Sequence, residues 1–284
     1  MPVNAGTAAR VTLSRMPRLT PPKLVLFDWH GTLVDTFEAM YLAVDDVLQA
    51  LDHLGLAQRL VCAGHWPAPE HELLVDQVRT QRALPPSLKD LRRVSRTEIF
   101  EILFGDDDEA KGIAHDAFDR RYMAHFGKVQ PFEPGARALL TTLRAAGLTT
   151  GLLTNRRRAL FMHELAKVDG CGWVGLFDVV VCGDDVPQRK PAPDMVLRAL
   201  AELGERAGPD IWFVGDSPTD TAAAKRAGIT AAYYNGARWE PAYLLRIFQG
   251  EWCPDLIAAD FAALHALALP PRREVLPRTA QTSR

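Results

Sequence analysis

From Ala136 to Gly236 the chain alternates amphipathic stretches with short apolar runs, and this rhythm restricts the available folds more than any other feature. ARALLTTLRAAG reads as a helix ending at Gly147, LTTGLLTN as a strand, RRRALFMHELAKV as a helix and FDVVVCGDD as a strand. PDMVLRALAELG then gives a helix, IWFVGD a strand, TDTAAAKRAG a helix and TAAYYNG a last strand. Strands that are apolar throughout are buried on both faces, and strands joined through helices run parallel. The repeated strand–helix unit therefore predicts an α/β fold, a doubly wound parallel sheet with helices on both faces. The run Lys23-Leu-Val-Leu-Phe27 supplies the first strand of the same sheet.

Between that strand and the alternating region the texture is helical. FEAMYLAVDDVLQAL, EHELLVDQV, RTEIFEILF and EAKGIAHDAFDRRYMAHF carry apolar residues at helical spacing, and the proline-bearing loops HWPAPE and RALPPSLKD separate them. The organisation predicted is an α/β core at 21–36 and 130–268 with a helical cap at 37–129 inserted after the first strand. Residues 1–20 hold Arg10, Arg15 and Arg18 with no acidic residue, and Pro17 interrupts them; they read as a disordered tail rather than a transit peptide, and 269–284 as a second tail.

A length of 284 residues accommodates about two domains. With 33 Lys+Arg against 35 Asp+Glu, nothing argues for a surface that binds nucleic acid. There is no apolar run long enough to span a membrane. Cys62, Cys171, Cys182 and Cys253 lack CxxC spacing and read as buried, reduced thiols, in keeping with a cytoplasmic location. The sequence is silent on oligomeric state.

In doubly wound sheets ligands bind beyond the carboxyl ends of the strands. The first strand ends at Asp28, a later one at Thr154-Asn155, the VVVCG strand at Asp184-Asp185 and IWFVG at Asp216, with Asp220 following and Lys190 entering a helix. One carboxylate at a strand end is commonly a helix cap. Several, meeting a lysine and a threonine on one rim, point instead to a reactive centre.

Asp28-Trp-His-Gly-Thr-Leu33, Leu152-Leu-Thr-Asn155, Arg189-Lys-Pro-Ala-Pro-Asp194 and Val214-Gly-Asp-Ser-Pro-Thr-Asp220 occur in the order of the four motifs of the haloacid dehalogenase-like hydrolase superfamily. The chain resembles that superfamily over about residues 23–265, and its insertion after the first strand resembles the helical cap of the phosphoglycolate phosphatase-like branch. The resemblance implies a Mg²⁺-dependent phosphatase acting on a small-molecule phosphate ester, phosphoglycolate being the leading candidate. Asp28 would be the nucleophile, forming an aspartyl-phosphate, and Mg²⁺ would be held by Asp28, the backbone carbonyl of His30, Asp216 and Asp220. Thr154, Asn155 and Lys190 would hold the phosphoryl oxygens, and Asp220 would orient Lys190 or a metal-bound water. The chemistry needs such a set. At 4 Å and an effective dielectric of 20, each carboxylate–phosphate charge pair costs about 4 kcal/mol, which a divalent cation and a lysine offset. A closing cap would exclude water and select small substrates.

One residue departs from the pattern. The superfamily's phosphatases have an aspartate two residues after the nucleophile as general acid and base; here it is His30. Three readings stay open: His30 takes over the proton transfer, turnover is slow or narrow, or the site binds a phosphometabolite or partner protein without turnover. Phosphonoacetaldehyde hydrolases share Trp after the nucleophile but need an early cap lysine, and none lies between Asp28 and Lys89. Haloacid dehalogenases need no metal, and the phosphoglucomutases rely on the missing aspartate.

Other features receive plainer readings. Arg156-Arg-Arg158 and the cap basics Lys89, Arg92, Arg93 and Arg96 read as solvated helix faces rather than clamps for a substrate anion. Asp106-Asp-Asp-Glu109 reads as helix N-terminal charge, His71-Glu72 as no zinc motif, and Trp173, Trp212, Trp239 and Trp252 as packing residues.

Overall fold

Four apolar residues in succession, Leu24–Phe27, form strand β1 in the computed structural model, which describes residues 19–270 apart from 67–68, 92–93, 95, 132–134 and 170–171. The chain continues through β2 (Val34–Asp35) into α1 (Phe37–Gln49), α2 (Pro69–Gln81), α3 (Pro86–Leu91), α4 (Arg96–Phe104) and α5 (Asp108–His125). It returns through β3 (Gln130–Pro131) to α6 (Gly135–Ala145), β4 (Thr149–Thr154), α7 (Arg158–Asp169), β5 (Val179–Cys182) and α8 (Asp194–Leu203). β6 (Ile211–Gly215), α9 (Pro218–Ala227), β7 (Thr230–Tyr234), α10 (Pro241–Ile247), β8 (Leu256–Ala258) and α11 (Phe261–Ala268) complete it.

Six strands pair in the order β5-β4-β1-β6-β7-β8, all parallel, so β1 is central. Its residues alternate between two cores. Val25 and Phe27 pack with Leu140, Phe161, Leu165 and Leu264, whereas Leu24 and Leu26 pack with Met195, Val196, Ala223 and Ala224. Both faces of the strand are dry, which is why its sequence shows no polar alternation.

The insertion has a core of its own, built from residues such as Val44, Val47, Leu48, Phe100, Leu103, Ala114 and Phe118. α1 and α5 form its backbone, and Asp107 caps α5 by accepting from the Ala110 amide at 3.0 Å. The insertion's entry and exit are tied by the antiparallel β2–β3 ladder, Val34 opposite Pro131 and Asp35 opposite Gln130.

The sheet is the doubly wound one that the rhythm predicts, with additions. β8, three residues long, was not expected, and neither were α3 and α10: α3 sits in the loop whose prolines read as a break, although proline is compatible with a first helical turn. Two cysteine readings are corrected, since Cys62 and Cys253 are exposed and only Cys182 of the described cysteines is buried. Trp173 and Trp212 are fully buried as packing residues, whereas Trp239 and Trp252 are half-buried. Of the expected tails (1–20 and 269–284), residues 1–18 and 271–284 lie outside the described residues, as do Arg92, Arg93, Cys171 and Phe132-Glu133-Pro134, whereas the Thr20 carbonyl accepts from the Trp212 indole at 3.1 Å. No helix among the described residues is long and apolar enough to cross a membrane.

Candidate active site

Parallel strands point their carboxyl ends the same way, so β1, β4 and β6 deliver Asp28, Thr154 and Asp216 to one rim. Asp28 follows the last residue of β1, its amide donating to the Val214 carbonyl at 2.9 Å as if the strand ran one residue further. Asp220 arrives on the first turn of α9, where Ser217 and Asp220 form a capping box: Asp220 Oδ2 accepts from the Ser217 amide at 3.1 Å and from its hydroxyl at 2.7 Å. A carboxylate of each of Asp28, Asp216 and Asp220 lies within 4.8 Å of the others.

Lys190 is the cation among them. Its ammonium, 6% exposed as a residue, stands 2.7 Å from Asp28 Oδ1, 2.7 Å from Asp220 Oδ1 and 3.1 Å from the Leu153 carbonyl. Burial alone would lower the Lys190 pKa, but the charges of Asp220 and Asp28 outweigh it and raise it. Burial, with the charge of Asp220, pushes the Asp28 carboxyl up to about 6 against the pull of Lys190. Burial and the charges of Asp28 and Asp220 raise Asp216 well above the usual carboxylate range. Three carboxylates therefore share one lysine, and the negative excess falls on oxygen atoms. Hard oxygen donors with uncompensated charge suit a divalent cation such as Mg²⁺.

The Asn155 side chain meets the Lys190 backbone and also lines the cavity described below. Asn155 Oδ1 accepts from the Lys190 amide at 3.0 Å and its Nδ2 donates to the Lys190 carbonyl at 3.1 Å. Both polar atoms thus help to fix the Lys190 backbone. Thr154, buried, stays on the rim, with its hydroxyl accepting from the Arg156 amide at 3.2 Å. Asp184 and Asp185 do not join the carboxylate cluster; they bind the start of α7, where Asp184 accepts from the Arg158 amide at 2.7 Å and Asp185 pairs with the Arg158 guanidinium.

His30 pairs with a different carboxylate. Its Nε2 lies 2.6 Å from Glu164 Oε2, which also accepts from the Trp29 indole at 3.1 Å. Glu164 is 1% exposed. Burial alone would raise its pKa, yet His30, Arg156 and Trp29 hold it below the ordinary glutamate range. Burial and the Arg156 charge lower the His30 pKa against the pull of Glu164. Glu164 was missed in the sequence, although one signal exists: a carboxylate between Phe161 and Leu165 on the buried stripe of a helix.

A cavity of about 670 Å³ opens between this rim and the insertion, lined by His30, Asn155, Arg156 and Arg189 below and by Met40, Arg96, Phe118 and Tyr122 above. Two arginine readings change accordingly. The Arg156 guanidinium lies 4.5 Å over the Tyr122 ring and that of Arg96 4.4 Å over Phe118, and both line the cavity. Arg157 and Arg158 are exposed as expected, Arg158 with its salt bridge to Asp185.

Comparison with known proteins adds three findings. A family model described as haloacid dehalogenase-like hydrolase matches residues 22–228. A phosphoglycolate phosphatase of Salmonella typhimurium is 31% identical over 218 residues, 75% of this chain and 81% of its own length, and the Escherichia coli K12 phosphoglycolate phosphatase is 31% identical over 72% and 77%. Among solved structures, a hydrolase from Pseudomonas syringae superposes with a TM-score of 0.52 at 18% identity, covering 86% of this chain and 96% of its own.

Proposed function

The chain belongs to the haloacid dehalogenase-like hydrolases, and from that premise we propose that it is a Mg²⁺-dependent phosphatase of a small phosphate ester resembling phosphoglycolate. One observation carries the reading: Asp28, Asp216 and Asp220 gather around Lys190 at the carboxyl ends of parallel strands, beneath a cavity that the insertion roofs.

Asp28 is the nucleophile. Its carboxylate attacks phosphorus, the ester oxygen leaves with the electron pair of its bond, and an aspartyl-phosphate remains until water hydrolyses it. Lys190 and the Thr154 hydroxyl hold phosphoryl oxygens, and Asp220, fixed by its capping box, keeps the lysine in place. Mg²⁺, held by Asp28, Asp216, Asp220 and the His30 carbonyl, would neutralise the charge that builds up when carboxylate meets phosphate. His30 gives a proton to the leaving oxygen and takes one from the attacking water. The insertion at 37–129 acts as the cap, and Arg96 and Arg156 give its cavity a positive lining suited to a carboxylate on the substrate.

A second reading, binding without turnover, is favoured by His30 standing where the superfamily's phosphatases have aspartate. Phosphate release from a panel of small esters that includes phosphoglycolate, with Mg²⁺ or with chelator, separates the two. Turnover that needs metal and disappears in Asp28→Asn supports the phosphatase. A folded, Mg²⁺-binding protein that releases no phosphate from any ester supports binding alone.

A further inference from the structure

We propose that Glu164 is a positioning residue for His30, fixing which ring nitrogen carries the proton and turning the other toward chemistry. The proposal deepens the acid–base role given to His30 above and rests on it. An ionised carboxylate can only accept, so the 2.6 Å contact between Glu164 Oε2 and His30 Nε2 requires a proton on Nε2. That nitrogen then cannot also accept from Arg156 Nε, 3.3 Å away. The guanidinium is held by charge instead, 3.8 Å from Glu164 Oε1 and over the Tyr122 ring. Nδ1 is left as the nitrogen that exchanges a proton, the division of labour seen wherever a carboxylate orients a catalytic imidazole.

The arrangement also favours a histidine over a carboxylate at this position. In a chain with Glu164 buried on α7, an aspartate in place of His30 would turn a second negative charge toward it, with Trp29 donating to only one of them. His30 and Glu164 thus form one unit, and replacing one without the other breaks it.

Two readouts test this. The ¹⁵N shifts of the His30 imidazole, measured on protein without substrate, are expected to report Nε2–H in the wild type and a mixed or reversed tautomer in Glu164→Gln, with Trp29→Phe left like the wild type. Should Glu164→Gln fail to fold, Glu164→Asp, which withdraws the carboxylate by one methylene, is expected to shift the tautomer in the same direction. In turnover, Glu164→Gln is expected to lower kcat about 10–100-fold with little change in KM. The same substitution in a His30→Asp background is expected to raise kcat. An unchanged tautomer in the Glu164 variants overturns the proposal, and so does an equal loss in both backgrounds, which is the mark of a role confined to holding Trp29. The shift measurement decides the matter even if no ester is hydrolysed, so failure of the phosphatase reading is seen separately.

Discussion

A Cβ placed on Gly31 would stand 1.9 Å from Asp216 Oδ2. Gly31 also has φ of +72°, and its amide donates to the Val34 carbonyl at 2.8 Å. The turn after the nucleophile and the carboxylate at the end of β6 therefore occupy adjoining space with no room for a side chain. Gly31→Ala is expected to cost about 1–2 kcal/mol from the backbone conformation alone, and more as Asp216 is pushed aside. Urea denaturation reads the first effect, and weaker Mg²⁺ binding by calorimetry reads the second.

Lys190 is the counter-charge for two buried carboxylates. Breaking a buried pair by removing one partner costs about 3–5 kcal/mol, and Lys190→Met is expected to lose stability on that scale in chelator. Mg²⁺ should restore part of the loss, because it supplies the missing charge. Thermal melts with and without the metal check this, and equal melting temperatures for variant and wild type in chelator would contradict it.

The raised Asp28 carboxyl sets a pH dependence whose sign is fixed. A carboxyl that titrates near 6 when folded, against an ordinary value of 3.8, binds its proton more tightly in the folded state. Its contribution therefore favours folding at low pH and is lost as pH rises from about 4 through 6, amounting to about 2–3 kcal/mol above that range. In chelator, wild-type stability is expected to fall more steeply between about pH 4 and 6 than that of Asp28→Asn. Mg²⁺ should flatten the difference by holding the carboxylate ionised.

Arg96 approaches the cavity from the cap, its guanidinium paired with Asp119 at 2.5 Å and lying over Phe118. A charge-assisted hydrogen bond to a substrate carboxylate is worth about 1.5–3 kcal/mol. Arg96→Ala is accordingly expected to raise KM about tenfold or more for a carboxylated ester while leaving an aryl phosphate ester that lacks a carboxylate nearly unaffected. Steady-state kinetics on the two substrates gives the comparison.

Thiol reactivity should separate the described cysteines. Cys62 and Cys253 are exposed, whereas burial pushes the Cys182 thiol up to about 12. Native alkylation followed by mass spectrometry is expected to label the first two within minutes and Cys182 only after unfolding.

The core was legible because its signals are local. Apolar runs ending in Asp28, Thr154 and Asp216 announce both a parallel sheet and the rim on which its ligands sit, and the topology does the rest. What escaped depends on partners far apart in the chain. Glu164 matters through Trp29 and His30, more than 130 residues away, and Asn155 through the backbone of Lys190. Arg156 looked like a solvated residue because nothing in its own neighbourhood reveals that Tyr122, from the insertion, descends over it. The short β8 and α3 carry too few residues to establish a period.

The two-residue ladder of β2 and β3 is small, yet it joins the chain's entry into the insertion to its exit toward the sheet. Because the ends meet there, and because the insertion keeps a separate apolar centre, the helical block behaves as a cassette mounted on a clasp. Exchange of that block between Val34–Asp35 and Gln130–Pro131 is expected to leave the pairing of β1 intact. Substrate preference would travel with the graft, while the reactive rim stayed with the host.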